Sequence, residues 1–172
     1  TEPASFGKRL SAWTEAEAWG GTQAFRRRAV GECLDTAAIL RDYREPLESE
    51  TWLIPGSSER GLLAQVNEII GLGPSALEQV TALSLDPDVP DPGRVFASLL
   101  VLGCVDGRRW LAPIRDIFMA ATKRNPAEAA AAVEALSLCP HPELRTVIVP
   151  LLGDDRPSVR SGAVRMLAYR NE

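Results

Sequence analysis

The stretch LLGDDRPSVRSGAVRMLAYR, residues 151–170, decides the fold of this chain. Two leucines precede a Gly-Asp-Asp turn, and a proline then introduces apolar residues at helical spacing. Proline suits the first position of a helix because its missing N–H would be unpaired there and its φ is already set. We therefore predict the hinge of a helical hairpin. Gly153 should end the first helix in a left-handed conformation, Asp154 or Asp155 should accept free N–H groups, and Pro157 should begin the second helix.

Four more prolines stand where apolar helical patterns begin, namely Pro74, Pro92, Pro126 and Pro142. Asp91 and Asn125 come directly before two of these prolines, and we predict that they are N-caps. The second helices of successive pairs align at intervals of about 31 to 34 residues, the length of a helical-hairpin repeat. Three columns agree in character: Val66, Leu99, Val133 and Val164; Ile69, Leu102, Leu136 and Leu167; and the small residues Ala97, Ala131 and Gly162. The register has one exception, since Glu128 aligns with Val159.

Composition supports an all-α fold. The chain has 172 residues, of which 45% are hydrophobic, so it is long enough to bury a core. Aromatic residues make up only 6%, while alanine and leucine are abundant. This balance favours helices packed through small and aliphatic side chains over a sheet.

Residues 142–170, PELRTVIVPLLGDDRPSVRSGAVRMLAYR, resemble a HEAT repeat of the short bacterial type. The positions that carry the resemblance form a Leu-Leu-x-Asp turn followed by Val-Arg-x-x-Ala: Leu151, Leu152, Asp154, Val159, Arg160 and Ala163. The resemblance implies a right-handed α-solenoid whose concave face binds partners, and it implies that the aspartate and the arginine of the motif pair with each other.

We predict one α-solenoid domain over residues 1–172, with about four stacked hairpins and an N-terminal capping helix. Its parts are the cap at 1–22, an atypical first repeat at 23–72 that begins with a helix from about 23 to 45, and HEAT-like hairpins at 73–104, 107–139 and 141–170. The chain ends soon after the last hairpin, with no polar capping helix. Either further repeats of a longer chain, a partner or a second copy is expected to cover it.

Residues with catalytic chemistry are scarce, and we predict a protein that is not an enzyme and has no cofactor or metal. His141 is the one histidine, and its place before a proline favours an N-cap or exposed turn. Cys33, Cys104 and Cys139 are far apart and lack the spacing of a zinc or redox motif, so we expect buried reduced thiols.

An acidic loop and a glycine-rich segment are both predicted to be structural turns and not ligand-binding sites. The loop DPDVPDP contains Asp86, Asp88 and Asp91, but it lacks the glycine and the terminal glutamate of an EF-hand loop. The segment GLGPS, residues 71–75, has no lysine and follows no strand, so we expect a turn and not a phosphate-binding loop.

The charge distribution bears on the choice of partner. The net charge is −4, which argues against a general nucleic-acid binder. Residues 61–107 contain one basic and six acidic residues, whereas residues 108–170 contain ten basic and six acidic ones. No apolar stretch approaches the roughly 20 residues of a membrane span. We expect a cytoplasmic protein, and the preference for arginine over lysine is typical of a GC-rich bacterial genome.

From the resemblance we expect a non-catalytic scaffold or adaptor, accessory to a larger bacterial assembly, that binds a protein partner with an acidic segment. Its C-terminal stripe would consist of Arg160, Ser161, Arg165 and Tyr169. A second basic and aromatic candidate is the pair Arg109 and Trp110, although a first-turn aromatic in such a repeat commonly packs into the core. The alternatives are a nucleic-acid reader similar to alkylpurine DNA glycosylases, and a module that self-associates through its C-terminal repeat.

Overall fold

The computed structural model describes residues 4–44, 53–85 and 90–171, with side chains for 23–44, 56–85 and 90–171. These residues form eight α-helices and a short 3₁₀-helix, and no strand occurs among them. The helices are α1 (Ala4–Asp42), α2 (Leu53–Gly71), α3 (Pro74–Leu85), α4 (Pro92–Gly103), α5 (Leu111–Arg124), α6 (Pro126–Leu138), α7 (Arg145–Leu151) and α8 (Pro157–Arg170), and the 3₁₀-helix is Arg108–Trp110. The all-α prediction is confirmed.

Prolines begin four of the helices, as the sequence predicts. They are the first residues of α3, α4, α6 and α8. Asp91 caps α4 by accepting the N–H of Arg94 at 3.0 Å, and Asn125 caps α6 by accepting the N–H of Glu128 at 2.8 Å. Each cap satisfies one of the N–H groups that a helix start leaves free.

Two local predictions for the last hairpin are wrong. Pro142 begins a turn and not a helix, because α7 starts three residues later at Arg145 and has only seven residues. Gly153 does not adopt a positive φ; among the described residues only Gly73, Gly107 and Asn171 do so. The chain leaves α7 through successive turn hydrogen bonds that need no left-handed residue.

The N-terminal third also differs from the expected boundaries. The boundary between cap and first repeat, placed at residues 22 and 23, falls inside α1, which continues as one helix to Asp42. The rest of the first repeat expected at 23–72 contains α2, which begins at Leu53. Residues 45–52 lie outside the described ranges.

The helices pack in two rows. Helices α4, α6 and α8 contact one another in that order, and α3, α5 and α7 do the same, while α5 also packs on α6 and α7 on α8. Helix α1 lies against α2, α3 and α4. The residues from Val95 to Gly103 in α4 are all buried, so this helix is the centre of the core.

The aligned columns lie in this core with one exception at the end. The valines and leucines of the first three copies are buried, and so are Ala97, Ala131 and Gly162. Val164 of the last copy is 55% exposed, whereas Val133 is 6% exposed because α8 packs on it. Glu128 is fully buried, as is Val159, the residue with which it aligns. The exception in the alignment is therefore a polar residue at a core position.

Candidate functional site

An open groove of about 540 Å³ lies where the C-terminal end of α1 meets α6 and α8. Its lining comes from three elements. These are Arg41, Asp42 and Arg44 of the α1 end, Val133, Glu134, Ser137 and Leu138 of α6, and Arg165 and Tyr169 of α8. We call this surface the α6/α8 groove. Apolar area and charged groups are both present, as in partner-binding surfaces.

Two residues of the predicted C-terminal stripe line this groove. Tyr169 is 64% exposed, and Arg165 is exposed one helical turn before it. Across the described part of the chain, no carboxylate lies within 4.0 Å of the Arg165 guanidinium, and no side chain hydrogen-bonds it. Arg165 therefore offers an unused cation beside an aromatic ring.

The opposite wall of the groove is a fixed arginine pair. Arg41 donates to Glu134 Oε2 through Nε at 3.0 Å and Nη2 at 2.7 Å, and Arg44 reaches Glu134 Oε1 at 3.2 Å. Both guanidinium groups also stack over the Phe96 ring, at 5.3 and 5.6 Å from its centroid. Cation–π contacts and ion pairs together hold the end of α1 against α4 and α6.

The same face of successive helices is covered on α4 and open on α6 and α8. By the repeat alignment, Leu100 of α4 corresponds to Glu134 of α6 and Arg165 of α8. Leu100 is 5% exposed, because α1 packs on α4, whereas Arg165 is exposed. The groove is thus the part of this face that α1 leaves free.

The other two residues of the stripe lie away from the groove. Ser161 is exposed, and Arg160 donates through Nη1 to the carbonyl oxygens of Asp154 and Asp155 at 2.8 and 2.9 Å. The implied pairing of the Asp154 and Arg160 side chains is not observed. Arg160 instead ties the α7–α8 turn to the first part of α8, which is a structural role.

The aspartate of the motif pairs with a different arginine. Asp154 Oδ1 accepts from the N–H of Arg156 at 3.0 Å and from its Nε at 2.9 Å. These hydrogen bonds lower the pKa of Asp154 to about 2, because they stabilise its charged form. The turn is therefore held by a local side-chain clasp, as expected of hinge residues and not of a binding site.

The second candidate pair is not an exposed anchor. Trp110 is 4% exposed and belongs to the core, in agreement with the alternative considered for it. Arg109 stacks on its ring at 4.4 Å from the centroid and pairs with Glu78 Oε1 at 2.9 Å. Both residues are thus engaged within the chain.

The histidine and the three cysteines, which were considered for catalysis or metal binding, lie at structural positions. Of the two roles expected for His141, the exposed turn is wrong, since it is 2% exposed. Its Nδ1 accepts the N–H of Glu143 at 3.1 Å, which is the kind of hydrogen bond that an N-cap makes. Cys33 and Cys139 are buried and Cys104 is half-buried, all as free thiols. Burial raises the pKa of each thiol, which disfavours the nucleophilic thiolate.

The described residues contain neither a metal-binding cluster nor a membrane-spanning helix. Where the chain is described, no three residues among His, Cys, Asp and Glu converge as a metal site. Asp86 and Asp88 of the acidic loop lie outside the described residues, and Asp91 is the cap of α4. None of the described helices is long and apolar enough to cross a membrane.

Sequence reasoning missed the α1 wall of the groove. Arg41 and Arg44 lie about 90 residues before Glu134 along the chain. The segment around them, RDYRE at residues 41–45, carries both signs of charge, so no local signal pointed to Glu134. Comparison with known protein families, curated proteins and solved structures finds no match to this chain.

Proposed function

We propose that this protein is a non-catalytic scaffold or adaptor, built as a HEAT-like α-solenoid, that binds a protein partner in the α6/α8 groove. The two rows of helices support the solenoid: α4, α6 and α8 form one row and α3, α5 and α7 the other, with each hairpin packed on the next. Stacks of this kind bind partners along a continuous face made by one row. The resemblance of residues 142–170 to a HEAT repeat points the same way.

The observation that best supports this function is that Arg165 is exposed and, among the described residues, forms no ion pair. It is exposed, it lines a groove beside Tyr169, and it makes no ion pair with any described residue. Other basic groups nearby are already engaged, since Arg41 and Arg44 pair with Glu134. Tyrosine and arginine are the residues most enriched where binding energy concentrates in protein interfaces.

The groove favours a protein partner over nucleic acid. Three guanidinium groups and two carboxylates line it, so it is not the continuous basic track that a phosphate backbone requires. Among the described residues the groove also holds no nucleophile next to a base. The lining of the groove thus supports a binding function.

The test is affinity capture from a lysate of the source organism with three baits. They are the unchanged chain, Arg165→Glu in the groove, and Arg145→Glu as a matched control at an exposed position on α7. We expect one protein retained by the unchanged and control baits and lost from Arg165→Glu. Equal retention by all three baits would exclude the groove as the binding site.

Two further measurements separate the alternatives. A low-salt gel-shift titration would reveal phosphate-driven binding, which weakens steeply as salt is added. Sedimentation equilibrium would show a dimer whose association persists in Arg165→Glu if the exposed end of the last hairpin self-associates. Either result, with no protein retained in the capture, would replace the scaffold function.

A further inference from the structure

One helix of the chain, α1, already packs on the first helix of the row α4, α6 and α8, and it shows what this surface accepts. Along its length α1 meets successive helices: Arg26 hydrogen-bonds the first turn of α3, Ala38 approaches the start of α4, and Arg41 reaches Glu134 of α6. The approach at α4 is close, since a Cβ on Gly93 would lie 2.8 Å from that of Ala38. Helix α1 therefore packs on α4 and reaches α6 through the side chains at its C-terminal end.

The line of α1 ends where the open groove begins. Helix α1 stops at Asp42, beside α6, and the next helix in the row is α8. Helix α2 packs on α1 and α4. The groove thus continues the surface that α1 occupies, with the same repeat positions facing outward on α6 and α8.

We propose that an amphipathic helix of a partner protein, carrying acidic side chains, docks across α6 and α8 in continuation of α1. One of its carboxylates pairs with Arg165, and its apolar face lies on Leu138 and the Tyr169 ring. This assignment rests on the scaffold function proposed above and adds the class of partner segment.

The shape of the surface explains why the occupant is a helix. Adjacent packed helices leave a furrow between them, and a third helix fits such a furrow at an axis distance of about 8–10 Å. Addition of an extended peptide to a sheet edge is excluded here, since no strand is present in the described residues. A helix of about 14 residues, roughly 21 Å long, spans two neighbouring helices with a turn at each side.

The charges explain why the partner helix is acidic. The lining has three guanidinium groups and two carboxylates: Arg41 pairs with Glu134 and Asp42, Arg44 pairs with Glu134, and Arg165 pairs with no carboxylate of the described residues. The lining therefore has an excess of one positive charge, concentrated on α8. A carboxylate seated against Arg165 reproduces the way that Glu134 of α6 receives the arginines of α1.

The experiment uses displayed libraries of 14-residue peptides constrained to a helix by a side-chain staple, panned against the whole 172-residue chain. A library of equal diversity without the staple is panned in parallel. We expect the stapled pool to enrich sequences with Asp or Glu on one side and leucine or methionine at i, i+3 and i+4 spacing. Their affinity should fall at least tenfold on Arg165→Glu and should not change on Arg145→Glu.

The results of this experiment distinguish failure of the helical-partner proposal from failure of the proposed scaffold function. Enrichment of unstapled, non-helical peptides that also lose affinity on Arg165→Glu would overturn the helical partner while leaving the scaffold function intact. Peptides that bind Arg165→Glu as tightly as the unchanged chain would overturn both, since they bind elsewhere. The folded state of each variant is checked by its circular dichroism and melting temperature, and Arg165→Lys, which keeps the charge, should retain most of the affinity.

Discussion

At the scale of single residues, the tightest packing lies where the ends of α4 and α6 meet. A Cβ added at Gly103 would lie 2.0 Å from the Sγ of Cys139 and 2.7 Å from its Cβ. We predict that Gly103→Ala lowers the free energy of unfolding by about 1–3 kcal/mol, because the core must shift to admit the methyl group. Urea denaturation measures this change.

A glycine in open space provides the control. Gly31 lies inside α1 with no atom within 4 Å of an added Cβ. Gly31→Ala should raise the free energy of unfolding by about 0.5–1 kcal/mol, since alanine loses less backbone freedom in a helix. Equal effects of the two substitutions would contradict the close contact at Gly103.

Glu128 is a buried charge that joins two hairpins. Its carboxylate is fully buried, accepts the backbone N–H of Asp91 at 3.0 Å and pairs with Arg124. We predict that Glu128→Ala lowers the free energy of unfolding by about 3 kcal/mol, because it leaves a largely buried guanidinium without its partner. The exposed pair of Arg28 and Glu32 is the control, and Glu32→Ala should cost less than about 1 kcal/mol.

The clasp in the last hinge gives a prediction for pH. Hydrogen bonds from Arg156 hold the pKa of Asp154 at about 2, below its ordinary 3.8. A lowered folded-state pKa means that the clasp contributes its full stability above about pH 4 and loses it as the pH falls through 2. A carboxyl ¹³C titration by NMR should place the midpoint near 2. A midpoint near 3.8 would show that the clasp does not persist in solution.

At the scale of elements, side-chain caps define where the inner helices begin. Asn125 accepts the N–H of Glu128 at 2.8 Å, and α6 lies between α4 and α8 in the row. We predict that Asn125→Ala lowers the free energy of unfolding by about 1 kcal/mol, and that Asn125→Asp keeps most of it because aspartate caps equally well. An equal loss in both variants would assign the effect to another role of Asn125.

At the scale of the whole molecule, burial decreases from α4 towards the C-terminal hairpin. Helix α4 packs on α1, α2, α3, α5 and α6, whereas α8 packs on α5, α6 and α7 and leaves Val164 exposed. We predict that amide hydrogen exchange under native conditions is slowest in α4, intermediate in α6 and fastest in α8. Mass spectrometry of the exchanging protein measures this order, and uniform protection would indicate one cooperative unit without a gradient.

The sequence alone determined the all-α class, the starts of four helices at prolines and the caps of α4 and α6. These features depend on local chemistry: a fixed φ, a missing N–H or a side chain within reach of the first turn. It also indicated Arg165 and Tyr169, because their helical spacing puts them on one polar side of α8.

Only the tertiary structure decided where α1 lies and what it leaves open. The contact of Arg41 and Arg44 with Glu134 joins residues about 90 positions apart, and helical periodicity carries no information over that distance. The neighbours in sequence made Trp110 a candidate for partner binding and His141 a candidate for an N-cap or exposed turn, but packing buries both. The groove exists because α1 covers one helix of the row and ends at the next, which is a property of the assembled stack and of no single segment.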